Sequence, residues 1–330
     1  MDRFALERAR AGDQDAFAAL IDPHRRELHL HCYRMLGSVA DADDLLQDTL
    51  TSAWRGLAGF AGRSSLRTWL YRIATHRCLN AIRDAKRRPL PTPVPPFEPP
   101  APSHRGDVTW LQPYPDAWLE ELPDRVAGPA QRHQTRENIE LAFIAALQRL
   151  PPRQTAAVVL CDVLDFPTAE VAGMLDVTPT AVKGLLQRGR AALDRQSPAS
   201  PDDAPEPGSS AERDLARRFA DAFSADDIDA VVALLTDDAW LAMPPAPHQY
   251  QGPAAIAAFL HASAAWRPGR HFDLLPTRAN AQPAFACTLA GGSTTVLVLT
   301  LRRNRISTIT HFLDPQVPSL LELSTPTRTA

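Results

Sequence analysis

Apolar residues recur at helical spacing in separate segments between residues 3 and 266, and strand-like alternation starts only after them. Residues 3–20 place Phe4, Leu6, Phe17 and Leu20 at helical intervals, and residues 40–57 and 65–84 repeat the pattern. Helices are also predicted within 150–193 and at 211–224, 226–235 and 254–266. The segments FDLLPTRAN, PAFACTLA, TTVLVLTLRR and RISTITHFLD then read as strands. The first two pieces are therefore expected to be all-α. The last, with helices before strands, is expected to be an α+β domain with an antiparallel sheet.

Proline divides these pieces. Many of the 31 prolines fall in two runs, PLPTPVPPFEPPAP at 89–102 and SPASPDDAPEPGSS at 197–210, which have the composition of extended linkers. The expected organisation is a helical domain at 1–88, a linker at 89–134, a helical domain at 135–196, a linker at 197–210, an α+β domain at 211–322 and a tail at 323–330. The first linker contains WLQPYPDAWLEELPD, whose aromatics Trp110, Tyr114 and Trp118 read as an exposed interdomain latch.

With 45% apolar and 22% charged residues and a net charge of -3, the composition is that of an ordinary globular chain, so any nucleic-acid binding must lie in local patches. Four cysteines without a CxxC pair argue against a disulfide framework or a zinc ribbon. His29, His31 and Cys32 lie close together but lack a second ligand cluster, so they read as a helix face; no metal or cofactor is expected. No run approaches the ~18 apolar residues of a membrane span, and the charged N-terminus lacks a signal-peptide core, so a cytoplasmic protein without membrane contact is expected.

Two neighbouring helices differ sharply in charge. In DADDLLQDTLTSAW, Asp41, Asp44 and Asp48 share one helix face, which is either a solvated surface or a docking face for a basic partner. Residues 63–88 then carry eight basic side chains against one acid, Asp84, with Phe60, Trp69 and Tyr71 interleaved. Arginine neutralises phosphate and aromatic faces stack on unpaired bases. Ser64 or Ser65 is expected to cap this basic helix.

Residues 150–193 show a helix over 152–164, a short helix over 168–175, a turn at Asp176-Val177, and a last helix with Thr178 as N-cap and Pro179 at N1. Val182, Leu185, Leu186 and Leu193 point inward, while Thr180, Lys183, Gln187, Arg188 and Arg190 face outward. This is the helix-turn-helix pattern, whose second helix enters the major groove; an ordinary helical bundle is the alternative. Gly184 and Gly189 weaken the last helix, or else allow close approach to DNA.

HCYRMLGSVADADDLLQDTLTSAWR followed by FAGRSSLRTWLYRIATHRCLNAIRDAKRR resembles region 2 of the extracytoplasmic-function (ECF) sigma factors, and LPPRQTAAVVLCDVLDFPTAEVAGMLDVTPTAVKGLLQRGRAAL resembles their region 4. The piece from Ala211 resembles SnoaL-like domains of the NTF2-like fold, and WLQPYPDAWLEELPD with LLPTRANAQPAFA resembles an actinobacterial subgroup of the sigma-G type. The resemblance implies that Asp41, Asp44, Leu45, Gln47, Asp48 and Trp54 dock on the β′ clamp helices of core RNA polymerase. It implies -10 promoter contacts from the loop 59–65 and the following helix: Phe60, Arg63, Ser64, Arg67, Trp69, Arg72, Asn80, Arg83, Arg87 and Arg88. It implies -35 contacts from Thr178, Thr180, Lys183, Gln187, Arg188 and Arg190, with region 4 on the β flap. Pro167 stands where relatives have a serine cap, which leaves Thr168 to cap instead.

The third domain is expected to enclose a pocket lined by Phe219, Phe223, Trp240, Met243, Phe259, Trp266, Phe285 and Phe312, with His248, Tyr250, His271, Arg278, Asn280 and His311 as polar candidates. Enzymatic proton transfer there would need a shielded carboxylate, Asp238 or Asp273, beside Tyr250; nothing in the spacing demands it, and a non-enzymatic domain regulating the sigma modules in cis is the expectation. The competing readings are a one-component ligand-sensing regulator and an isomerase or cyclase fused to a DNA-binding module.

Overall fold

Glycine 12 breaks what the apolar spacing alone presents as one helix. Its φ of 95° suits glycine, so α1 (Arg3–Arg10) ends and α2 (Gln14–Leu36) begins anew, with the Asp13 carboxylate accepting from Ala16 N at 3.0 Å. Phe4, expected inside, is 67% exposed. In this computed structural model, residues 3–85, 97–105, 111–120, 138–196, 204–290, 292 and 294–321 are described. They fall into two units: Met1–Pro89, Ala117–Asn138 and Phe143–Pro198 form the first, and Leu90–Asp116, Ile139–Ala142 and Ala199–Ala330 the second.

In the first unit α2, α3 (Val39–Gly56) and α4 (Leu66–Ala85) pack on one another. Ser38 caps α3, accepting from Asp41 N at 3.1 Å, and Ser65 caps α4, accepting from Thr68 N at 3.0 Å. The buried side of α2 carries Leu28, Tyr33 and Met35, and also His31. His31 Nε2 lies 2.9 Å from Thr75 Oγ1, whose hydroxyl donates to Tyr71 O, so the ring is the donor to Thr75. Burial, with Arg34 and Arg67 nearby, holds its pKa down at about 3. His29 turns to a different partner, its Nε2 3.2 Å from Asp43 Oδ1.

The chain continues through α5 (Asp116–Glu120), α6 (Leu141–Gln148) and α7 (Pro152–Val158), with a π-helical turn at Val159–Val163 where the sequence suggests an unbroken helix to Leu164. Then come α8 (Thr168–Leu175) and α9 (Pro179–Gln196). Asp176 ends α8 in the left-handed region (φ 52°), and Thr178 caps α9 by accepting from Ala181 N at 3.2 Å. The expected Thr168 cap does not serve α8: Pro167 holds the N-cap position without a side-chain bond, and Thr168 is already helical. A Cβ on Gly189 would stand 2.8 Å from Val158 Cγ2, so this glycine is there for the close packing of α9 on α7. A Cβ on Gly184 would meet only the mobile end of Arg188, at 3.4 Å.

The second unit is built on α10 (Ser210–Ser224), α11 (Ile228–Ala233), α12 (Pro253–Trp266) and a sheet ordered β1-β3-β2-β7-β6-β5-β4, with α13 (Val317–Leu320) after it. The strands are β1 (His104–Arg105), β2 (Leu235–Ala242), β3 (His248–Gln251), β4 (Phe272–Ala279), β5 (Gln282–Leu289), β6 (Thr294–Arg302) and β7 (Arg305–Phe312). The helix read over 226–235 stops at Ala233, and the sheet is mixed: β2 runs parallel to β7, pairing Trp240 with Thr308, so the antiparallel expectation is corrected. Phe219, Phe285, Tyr250, Leu297 and Ile309 fill the core beneath it.

Parts of the proline-rich linker belong to this unit. Phe97 stacks on Trp266 (5.9 Å) and lies 5.6 Å from Phe259, Tyr250 Oη donates to Pro100 O at 2.9 Å, and β1 pairs with β3. Asn280 and Ala281, both with positive φ, form the tight β4–β5 turn. That turn holds further linker residues. Tyr114 N donates to Asn280 Oδ1 (2.8 Å), Asn280 Nδ2 donates to Ile139 O (2.7 Å), and Ala281 N donates to the Asp116 carboxylate (2.7 Å). Arg278 joins Asp116 at 3.2 Å to the buried Glu212 at 2.8 Å.

Two outcomes are expected. Gly184→Ala should stabilise by about 0.8–1 kcal/mol from helix propensity, whereas Gly189→Ala should destabilise by about 1–3 kcal/mol through overpacking against Val158; denaturant midpoints of the two variants separate them. For His31, the folded pKa lies below the unfolded value, so its contribution is complete above about pH 6.5 and is lost as pH falls toward 3. Unfolding free energy should drop by up to about 1.4 kcal/mol per pH unit from this group across that window, and His31→Gln should flatten the slope by one proton.

Candidate nucleic-acid interface

Basic α4 presents its side chains to three different environments. Arg63 and Ser64 lie exposed in the loop before it, and Asn80 and Arg83 are exposed near its end. Phe60 is not available to stack on a base: it is 4% exposed, sits 5.0 Å from the Trp69 ring and joins the core of Leu6, Ala9 and Leu57. Trp69 is half-buried against it, and a Cβ on Gly56 would approach the Trp69 ring to 3.3 Å. Arg87 and Arg88 lie outside the described residues.

The middle of α4 meets the helix-turn-helix. The Arg67 guanidinium lies 4.8 Å from the Tyr71 ring centroid and 4.4 Å from that of Phe166, while its Nε donates to Glu27 at 3.1 Å. Thr68 Oγ1 donates to Glu170 at 2.8 Å. Arg72 and His76 both face Asp176, at 2.8 and 3.3 Å. None of Glu170, Asp176 and His76 stands out in the sequence, because their partners lie about a hundred positions away.

On α9, Thr178, Thr180, Lys183, Gln187 and Arg188 are exposed, while Val182 and Leu186 are buried and Leu185 and Leu193 half-buried. Arg190 is exposed but already engaged, donating twice to Asp162 at 2.9 and 2.6 Å. The outer face of α3 shows Asp41, Asp44, Gln47 and Asp48 to solvent, with Leu45 half-buried and Trp54 edge-on to Phe17 at 5.0 Å. The latch aromatics differ from expectation: Tyr114 is fully buried in the second unit, Trp118 lies 5.3 Å from His29 and under Arg26 in the first, and Trp110 is outside the described residues.

The residues considered for proton transfer do not converge. Asp238 on β2 and Asp273 on β4 are exposed, with β7, β6 and β5 between their strands. A hydrogen bond from Arg302 holds the Asp238 carboxyl below its ordinary pKa, and the Tyr250 proton is committed to Pro100 O. Phe219, Phe223, Met243, Phe259, Phe285 and Phe312 are core; Trp240 is half-buried and Trp266 exposed. The hollow between Phe223, Asp226, Val231, Leu260 and Arg267 amounts to about 10 Å³, hardly room for one water. His271 there bonds Asp226 at 2.8 Å, His311 bonds Thr295 at 2.8 Å, His248 is half-buried on β3, and Arg278 and Asn280 serve the linker.

Residues 20–88 match the sigma-70 region 2 family, residues 140–193 match sigma-70 region 4, and residues 216–312 match the SnoaL-like domain. The chain is 44% identical over 313 residues to the ECF RNA polymerase sigma factor SigG of Mycobacterium tuberculosis, covering 92% of this chain and 82% of the relative. It is 36% identical over 185 residues to SigM of the same species, covering 56% of this chain and 79% of that one. The crystal structure of M. tuberculosis SigJ shares the fold, with a TM-score of 0.62 at 21% identity, covering 94% of this chain and all of that one. With region 2, region 4 and a SnoaL-like extension in one order along the chain, and with this likeness to SigG, the protein belongs to the ECF family of RNA polymerase sigma factors.

Proposed function

We propose that this sigma factor engages core RNA polymerase through the acidic face of α3 and promoter DNA through α4 and α9, and that the SnoaL-like domain regulates it in cis by holding the linker between regions 2 and 4. The observation that carries the first part is the exposure of Asp41, Asp44, Gln47 and Asp48 along one face, a charged stripe suited to the β′ clamp helices, with Leu45 and Trp54 as its apolar border. The -10 contacts then come from Arg63, Ser64, Arg67, Arg72, Asn80, Arg83, Arg87 and Arg88, and the -35 contacts from Thr178, Thr180, Lys183, Gln187, Arg188 and Arg190, with region 4 on the β flap. Region 2 occupies 1–88 and region 4 occupies 135–196 on this reading.

The β4–β5 turn supports the second part. It binds Tyr114 and Asp116 of the linker and Ile139 just beyond its end. A domain tethered to its own target acts at high effective concentration, so modest contacts suffice. Tyr114 and Trp118 are the latch residues in this scheme. The scattered positions of Asp238, Asp273 and Tyr250 favour a non-enzymatic role for the domain. The place of action is that of the polymerase, the cytoplasm; among the described residues no helix is long and apolar enough to cross a membrane.

Titration of the full chain against core RNA polymerase tests the docking face. The Asp44→Ala/Asp48→Ala variant should bind at least about tenfold more weakly, and equal affinity would contradict the assignment. Arg278→Ala removes the bridge between Asp116 and Glu212, at a cost of about 1.5–3 kcal/mol for charge-assisted bonds. Transcription from the cognate promoter at fixed core concentration should then differ from wild type by several-fold; unchanged output would remove the linker from the regulatory scheme.

A further inference from the structure

The turn of the helix-turn-helix carries a carboxylate into the basic face of α4. Asp176 Oδ1 lies 2.8 Å from Arg72 Nη2, and Asp176 Oδ2 lies 3.3 Å from His76 Nε2. Arg72 and His76 are four residues apart, one above the other on a single helix face. Two nitrogen groups one turn apart, sharing the two oxygens of one anion, is also how a helix face grips a backbone phosphate. The Arg72 and Asp176 side chains are 50% and 58% exposed, so water and salt compete with their pair, while His76 Nε2 lies covered beneath the Asp176 carboxylate.

The approach of Asp176 is built in. Arg67 packed on both Tyr71 and Phe166, and Thr68 bonded to Glu170, hold α8 against α4 one and two turns before Arg72 and His76. The left-handed backbone of Asp176, φ 52° and ψ 50°, closes α8 at the position where the side chain reaches these two groups.

We propose that Asp176 is an internal phosphate mimic: Arg72 and His76 form a phosphate-binding site for promoter DNA, and in the free chain region 4 fills that site with its own carboxylate. This rests on the reading of α4 as a DNA-binding helix. It adds His76 to the DNA contacts, which charge counting at neutral pH passes over. It also makes one residue of the -35 module a competitor for the -10 module. DNA reaches this part of α4 only when the turn of the helix-turn-helix moves away.

Asp176→Asn tests the proposal in the full chain. Asparagine tolerates the left-handed conformation as aspartate does, so the charge is removed and the turn kept; Asp176→Gly is a second variant that also suits the backbone. Binding of a short fluorescein-labelled single-stranded DNA is measured by anisotropy over a range of salt. Both variants should bind about tenfold tighter than wild type at low salt, with a salt dependence steeper by about one phosphate contact. The gain should vanish when Arg72→Ala or His76→Ala is added. Affinity equal to wild type, or a gain that survives the loss of both Arg72 and His76, would overturn the mimic. Unchanged DNA affinity in a protein that still binds core polymerase would do so while leaving the sigma-factor assignment standing.

Discussion

The arrangement of regions 2 and 4 depends on one cation. Arg67 is three-quarters buried against the Tyr71 and Phe166 rings and donates to Glu27, whose other oxygen faces His24 Nδ1 at 2.5 Å. Tyr71 touches the His31 ring at 5.1 Å and Phe166 at 5.1 Å, so α2, α4 and the segment leading into α8 share this one stack. Each cation–π contact is worth about 0.5–2 kcal/mol, and a carboxylate as enclosed as Glu27 loses much more when its partner is removed. An arginine of the helix proposed to bind DNA is thereby a structural joint of the free protein.

On the proposed reading, the free chain leaves the α9 surface open and covers part of the α4 surface. The same α4 face that is suited to DNA packs on α8 through Arg67, Thr68, Arg72 and His76. The exposed ion pairs there are individually weak, which suits an interface that has to open. In the second unit the β4–β5 turn takes hold of Tyr114, Asp116 and Ile139 by backbone and carboxylate hydrogen bonds, contacts that are specific in geometry and do not depend on a large apolar area. What looks like a spacer by composition is in part a folded strap of the C-terminal domain.

Local chemistry was legible in the sequence where the deciding partners are near in the chain. The helix of residues 65–84 with its serine cap, the turn at Asp176 and the Thr178 cap follow from spacing and capping rules, as do the four C-terminal strands. The two sigma regions and the SnoaL-like domain were legible from the motifs that carry the family resemblance. Features set by distant partners were not. Phe60 looks like a loop aromatic until Leu6 and Ala9 of α1 close over it. Tyr114 sits in a proline-rich run without periodicity, and its burial is decided by Asn280. β2 was not read from the sequence, its first residue falling at the end of the helix expected over 226–235, because its parallel partner, β7, lies some seventy residues on. Gly189 carries no sign of its purpose until Val158 is placed beside it.

On the proposed reading, α4 exchanges a protein partner for DNA. The most direct measurement is the distance between spin labels at Arg77 on α4 and Ala169 on α8, both exposed and neither assigned to DNA, in the free chain and in the assembled holoenzyme on promoter DNA. The expected result is a single short distance in the free protein and a longer one in the promoter complex. The same short distance in a transcriptionally active complex would show that α8 stays on α4 while DNA is bound, and would contradict the exchange.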